Sequence, residues 1–438
     1  VKSALLLLSV VHLFLILFLI SISFYLIAKG RHSLLAFTVL GFAFFDSLGL
    51  VIAPYLPLES IKYLPSPIFI ITEKDLLVYS RQIISHWIFI GLAIIGLLIE
   101  MRWPKNNYFR FLPSSKRLVF WGIILAFIGT VTYVRYFMFG PGSEILLSSR
   151  LFFESTVEAI ASRSEIRDTL QLGQGAWMAS ISSTIIFPVA AFFFLKSSLR
   201  YRIIVFVILA FSSGVYAFQT RQKAPLLAII LVYGLLWILN RVDTKKIDIK
   251  TIIRKFVVPA FFISFVGGAI LYMINFGLTP LIAIQSVLAR LLIIPGATET
   301  NYFMVFPDYF NFRGLNQIFD IGLRHAQFAS DVTIYDVAYA ATGVRFSSNA
   351  SFLAVAWSGA GYLGVALISL FLVISLFIID RYLRKMEPAV FWGVLAISSG
   401  PILSLVSGSF LSFVGRGGIV IPAMIIYIYW SSRLVIKK

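Results

Sequence analysis

The chain has 438 residues, of which 59% are hydrophobic and only 13% charged, with a formal net charge of +18 and a mean hydropathy of +0.93. A soluble domain carries about 25% charged residues, so this composition leaves too little polar side chain to cover a water-facing surface. The chain contains no cysteine, which excludes disulfides, thiolate metal sites and a cysteine nucleophile.

Hydropathy predicts an all-α, polytopic integral membrane protein forming one membrane domain, 1–438. A spanning helix needs roughly 20 apolar residues. Eleven segments meet that need near 4–28, 33–56, 82–99, 118–139, 175–195, 203–219, 224–240, 256–276, 351–379, 389–410 and 417–432. A twelfth span would escape this reading if it were short or polar. The first stretch lacks a small-residue cleavage site and is expected to be retained as a span. Within the second, Asp46 lies among Phe44, Phe45 and Leu48. An intramembrane carboxylate is costly and marks a proton or ion site by default; the alternative is a partner for a helix end or for Arg135. Ionisable residues elsewhere inside the spans are expected to be nearly absent.

The charges sort by side. One set of connectors holds Lys29 and Arg31, then Arg102 to Arg117, Lys196 to Arg202, Arg241 to Lys255, Arg381 to Lys385 and Arg433 to Lys438. Against these stand only Glu100, Asp243, Asp248, Asp380 and Glu387. Lysine and arginine are retained on the cytoplasmic side, so this face is predicted to be the cytoplasmic one. With an odd number of spans, the N-terminus falls outside. The basic balance is thus a topology signal and not a nucleic-acid footprint, which needs a basic patch on a folded soluble surface.

Three long outer loops remain, near 57–81, 140–174 and 277–350. The first carries Glu73-Lys74-Asp75, two acids one residue apart. The second carries Arg150, Glu154 and Glu158 at four-residue steps, then Arg163 and Arg167. That spacing reads first as a self-paired stripe on one helix face. The third, rich in aromatic and aliphatic residues, is predicted to be ordered on the membrane surface. In it Thr279-Pro280 starts a helix of about 280–294 that stops at Pro295-Gly296, too short to span and so interfacial or re-entrant. Ser286 and Arg290 fall on one side of it, and Arg290 is a candidate anion ligand, the alternative being an arginine reaching to water. Further along come Glu299, Tyr302, Asp308, Arg313, Asp320, Arg324, His325, Asp331, Asp336 and Arg345. Asp320 and Arg324 have the spacing of a helical ion pair. No spacing in this loop matches a metal site.

Short motifs in the chain resemble those of the bacterial O-antigen or oligosaccharide repeat-unit polymerases, the Wzy type. The string Phe218-Gln219-Thr220-Arg221-Gln222-Lys223-Ala224-Pro225-Leu226-Leu227 is similar to their arginine-containing turn. The run from Arg290 through Pro295-Gly296 to Tyr302-Phe303 resembles the start of their large periplasmic loop. Ser348-Asn349-Ala350-Ser351-Phe352 leading into Gly359-Ala360-Gly361-Tyr362-Leu363-Gly364 looks like the approach to their next span. An acid common between that asparagine and the glycines is absent, since Leu353-Ala354-Val355-Ala356 stands there.

The resemblance implies a GT-C-like glycosyltransferase in the bacterial inner membrane, active at its periplasmic face. It would join oligosaccharide units carried on polyprenyl diphosphate without a metal or other cofactor. A leaving diphosphate needs fixed positive charge, which Arg221, Arg290 and Arg345 would supply, with Arg313, Arg324, Tyr302 and Asn349 as further binding residues. His325, Asp331 and Asp336 are the candidates for orienting or deprotonating the acceptor hydroxyl. Implied partners are the lipid-linked donor and acceptor, membrane lipid, a chain-length regulator and a flippase; nucleic acid is not among them. The alternatives are an O-antigen ligase, which shares the plan, and a secondary transporter or flippase of lipid-linked glycans.

Overall fold

A computed structural model describes residues 2–31, 33–52, 76–102, 115–139, 174–219, 223–241, 251, 254, 258–315, 332, 334–343, 351–406, 408 and 410–431. The described residues form helices and connecting turns, with no strand among them. In chain order the helices are α1 (Lys2–Ala28), α2 (Leu34–Ile52), α3 (Leu76–Arg102), α4 (Ser115–Phe139), α5 (Gln174–Ile181 continuing through Phe187–Lys196), α6 (Arg202–Gln219), α7 (Lys223–Arg241) and α8 (Val258–Phe276). Then follow α9 (Pro280–Leu292), α10 (Ile294–Val305), α11 (Ile334–Thr342), α12 (Phe352–Leu383), α13 (Pro388–Ser404), α14 (Phe410–Gly415) and α15 (Val420–Ser431).

Six helices are long and apolar enough to cross a membrane, and seven if α9 and α10 together make one broken span. Four further apolar helices are shorter, lying at Arg202–Tyr216, Ala228–Arg241, Pro388–Ser404 and Val420–Ser431. The outward surfaces of these helices are apolar: Leu7, Phe14, Phe127 and Phe211 are each more than 60% exposed. Apolar exposure on this scale is untenable in water and ordinary against lipid.

The chain divides into two compact units. The first comprises 1–106, 279–384 and 401–419. In it α3 packs along α12 and α1, and α10 fits against α2, α3 and α12. Phe42, Phe89 and Phe352 interlock edge to face at its centre, with ring centroids 4.8–5.4 Å apart.

One end of this unit is fixed by buried charges. The Asp380 carboxylate of α12 accepts Leu34 N–H at 2.6 Å, Leu35 N–H at 2.9 Å and the Ser33 hydroxyl at 3.1 Å. It thereby satisfies amide donors that the first turn of any helix leaves unpaired. Arg384 pairs with Glu100 at 2.6 Å, and Arg31 donates to the Glu100 carbonyl. Residues from three connectors that sequence reasoning assigned to one face thus meet at one end. At the far end of α3, Arg81 pairs with Asp308 at 2.8 Å.

Helix α12 is broken inside. Ala360 and Gly361 leave helical geometry, Gly361 at φ +59° and ψ −141°, a region open essentially to glycine alone. The carbonyls that a break frees at Ser358 and Gly359 accept the N–H groups of Arg313 and Gly314 at 3.0 and 2.8 Å. Trp357 stacks edge-on to Phe312 and Tyr362 and donates to the Phe306 carbonyl at 3.0 Å. The extended strip 311–314 is therefore stitched to the kink.

The second unit comprises 107–278, 385–400 and 420–438. Here α4, α5, α6 and α7 pack as sequential neighbours. Glycines permit the close fit: a Cβ on Gly129 would lie 2.5 Å from the Phe187 ring, and one on Gly393 2.2 Å from Phe192. A tyrosine cluster of Tyr133, Tyr136 and Tyr216 fills the interface of α4 and α6.

Several expectations change. Residues 76–81 belong to α3 and not to the first outer loop. Pro295-Gly296 does not end a helix; it lies in the first turn of α10, after a break at Ile293 that bends α9 against α10 by 50°. Proline is at ease there because the first-turn amide it lacks has no partner anyway. The acidic motifs at 73–75 and 140–173 lie outside the described residues.

Candidate functional site

The first unit holds a cluster of fully buried polar side chains, built from four helices and the cap of a fifth. Helix α2 is interrupted by a π turn at Ala43–Ser47. Such a turn inserts an extra residue and is frequent at functional sites. It brings the adjacent Asp46 and Ser47 both into the interior, each with no exposed surface. On α3, Gln82 and His86 are four residues apart and share one face. On α10, Glu299 and Thr300 follow the break by about a turn and a half. Ser351 caps α12, its hydroxyl oxygen accepting Leu353 N–H at 3.2 Å. Finally α1, otherwise turned largely outward, presents His12 inward with no exposure.

The close approach depends on two glycines. A Cβ on Gly49 would lie 2.3 Å from the Leu292 carbonyl oxygen, and one on Gly296 3.1 Å from the Asp46 carbonyl oxygen. These contacts seat the α9–α10 break against the end of α2.

His86 is the hub. Its Nε2 lies 2.7 Å from Glu299 Oε2 and 3.9 Å from Asp46 Oδ2, and its Nδ1 lies 2.9 Å from the Ser47 hydroxyl. Glu299 is held from three sides. Gln82 Nε2 donates to Oε2 at 2.9 Å, Ser351 donates to Oε1, and His86 meets Oε2. Gln82 is itself fixed, donating to the Gly296 carbonyl at 2.9 Å and accepting the Thr300 hydroxyl at 2.8 Å. Asp46 is held less closely: its side chain is fully buried, with the Ser351 hydroxyl serving it as well. His12 stands beside the hub, its ring edge-on at 5.6 Å from that of His86.

Of the predicted site residues, Asp46 is in this cluster, associated with His86 and Glu299. Arg290 is exposed in the last turn of α9, while Ser286, one turn back, is buried. Tyr302 is buried in the core, stacked on Phe306. Arg313 is half-buried at the strip docked on the α12 kink. Asp336 is half-buried in the first turn of α11, a helix that packs on α10. Arg221, Arg324, His325, Asp331, Arg345 and Asn349 lie outside the described residues.

Sequence reasoning missed His12 and His86, and ionisable groups inside the spans are not nearly limited to Asp46. A lone histidine barely lowers the hydropathy of a long apolar helix. The available signal was the Gln82/His86 spacing on one face of a predicted span. Chemically the cluster can hold a proton or a cation between two carboxylates and an imidazole.

No protein-family model, characterised protein or solved structure matches the chain.

Proposed function

We propose that the chain is a membrane glycosyltransferase of the repeat-unit polymerase type, with eleven or twelve spans in a bacterial inner membrane. At the periplasmic face it transfers a growing glycan from polyprenyl diphosphate to the non-reducing end of a new lipid-linked unit. The observation that carries this reading is the bent pair α9–α10. Its first half is too short to span and bears an exposed arginine, Arg290, at its end. Its second half is locked into the bundle through Glu299. An always-charged guanidinium three residues before the break, next to a helix seated in the bundle, suits a departing diphosphate, because charge must be positioned before the bond breaks. Arg221 and Arg345 join it in the proposal, with Arg313, Arg324 and Asn349 lining the glycan path; Tyr302, buried in the core, is left out of it. His325, Asp331 and Asp336 are the groups proposed to orient the acceptor hydroxyl. The lipid tails would lie along the apolar helix surfaces, where a chain-length regulator and a flippase would also dock.

Purified protein given lipid-linked repeat units should produce a ladder of longer glycans. Replacing Arg290 with Ala should abolish it while leaving the protein monodisperse. A full ladder from a variant lacking Arg221, Arg290 and Arg345 would remove the site proposal.

The buried acid–histidine cluster favours a second reading, an ion-coupled transporter of lipid-linked glycans, since such sites lie beside broken helices. Movement of lipid-linked units across liposomes with no ladder would select it.

A further inference from the structure

We propose that Asp46, His86 and Glu299 bind one divalent transition-metal ion of the zinc class inside the first unit. The inference is independent of the glycosyl-transfer reading. One ligand atom from each residue, the imidazole nitrogen and a carboxylate oxygen from each acid, lies within 4.8 Å of the other two. An ion held at about 2.0–2.2 Å from each ligand would need His86 Nε2 and Glu299 Oε2, now 2.7 Å apart, to part slightly and Asp46, 3.9 Å from Nε2, to draw in.

Charge gives the first argument. His86 Nε2 faces both carboxylates, hydrogen-bonded to Glu299 at 2.7 Å and 3.9 Å from Asp46. Among the described residues no lysine or arginine pairs with either acid; the charged-group contacts of Asp46 and Glu299 are those with His86. Buried carboxylates left ionised and unpaired cost several kcal/mol each. A dication that replaces the Nε2–Glu299 hydrogen bond would cancel two negative charges, with the imidazole proton then on Nδ1, facing the Ser47 hydroxyl.

Partner geometry gives the second. Metal ligands are held by outer hydrogen bonds that fix their tautomer and aim. Ser47 does this for His86, and Gln82 and Ser351 do it for Glu299. Ser351 also serves Asp46, which is fully buried with one carboxylate oxygen 3.9 Å from Nε2.

The donor set selects the ion. Calcium and magnesium take oxygen ligands, and copper(I) takes sulfur. One imidazole and two carboxylates suit zinc, manganese or cobalt. The site is fully buried while Arg290 is exposed, so the ion and the proposed diphosphate contact are separate.

Cobalt(II) is the probe. The full chain, expressed in cobalt-supplemented medium and purified in detergent, should retain about one ion per chain and show visible ligand-field absorption. Asp46→Asn and Glu299→Gln should each weaken retention by about 10-fold or more, and Ser47→Ala by about 10–100-fold through loss of ring orientation. Should the carboxylate variants fail to fold, wild-type protein stripped with a chelator and reloaded decides the matter. Reloading should restore the absorption and raise the melting temperature. Wild-type protein that neither retains nor reloads the ion overturns the proposal, as does equal retention by wild type and both carboxylate variants.

Discussion

The difference between Glu299 and Asp46 shows what burial alone does not determine. Both acids are fully buried within reach of one imidazole, but Glu299 is held at close range by Gln82 and Ser351, whereas Asp46 is served by Ser351 alone among the donors described. Burying a weakly partnered carboxyl is costly, so Asp46 is the residue whose burial invites explanation by a bound species. At the opposite end of the same unit, Glu100 and Arg384 form a buried pair in which each charge compensates the other. Replacing Arg384 with Met strands the carboxylate and should cost about 3–5 kcal/mol. The double replacement with Glu100→Leu should recover most of that loss. Denaturant unfolding in detergent measures both. Equal destabilisation by single and double variants would show that the pair is not the fastening described.

Among the elements, irregular backbone marks the places where packing and site formation meet. The π turn of α2, the break between α9 and α10 and the kink of α12 all border the cluster or the strip that leads from it. Gly361→Ala places a side chain at φ +59°, against the Phe312 ring 3.1 Å away. It should destabilise the chain by about 1–3 kcal/mol. Gly49→Ala meets the Leu292 carbonyl and should displace the α9–α10 break, destabilising by about 1–3 kcal/mol through overpacking. Wild-type melting temperatures in both variants would contradict these contacts.

Sequence reasoning captured the long apolar helices and the start of α9, because hydropathy and a Thr-Pro cap are local signals. It flagged Asp46 because a carboxylate among phenylalanines stands out. It placed Glu299 among loop charges because Pro295-Gly296 resembles a stop, although the same pair opens α10. The alliance of Glu299 with His86 joins residues 213 positions apart, and no local spacing carries such a contact.

For the whole molecule, the charge asymmetry of the connectors and the meeting of Arg31, Glu100 and Arg384 at one end of the first unit support one topology. Reporter fusions after residues 250 and 315 should report opposite sides of the membrane; the same side for both would overturn the proposed topology. The proposed chemistry makes a stricter demand. Each new glycosidic bond must set free one polyprenyl diphosphate, whereas transport releases none and hydrolysis makes no bond. The decisive measurement is therefore polyprenyl diphosphate released by the purified protein from lipid-linked repeat units, counted against glycosidic bonds formed. Release in step with bond formation, lost on replacing Arg290 with Ala, is the expected result. Units moved across a bilayer with no release would contradict the account.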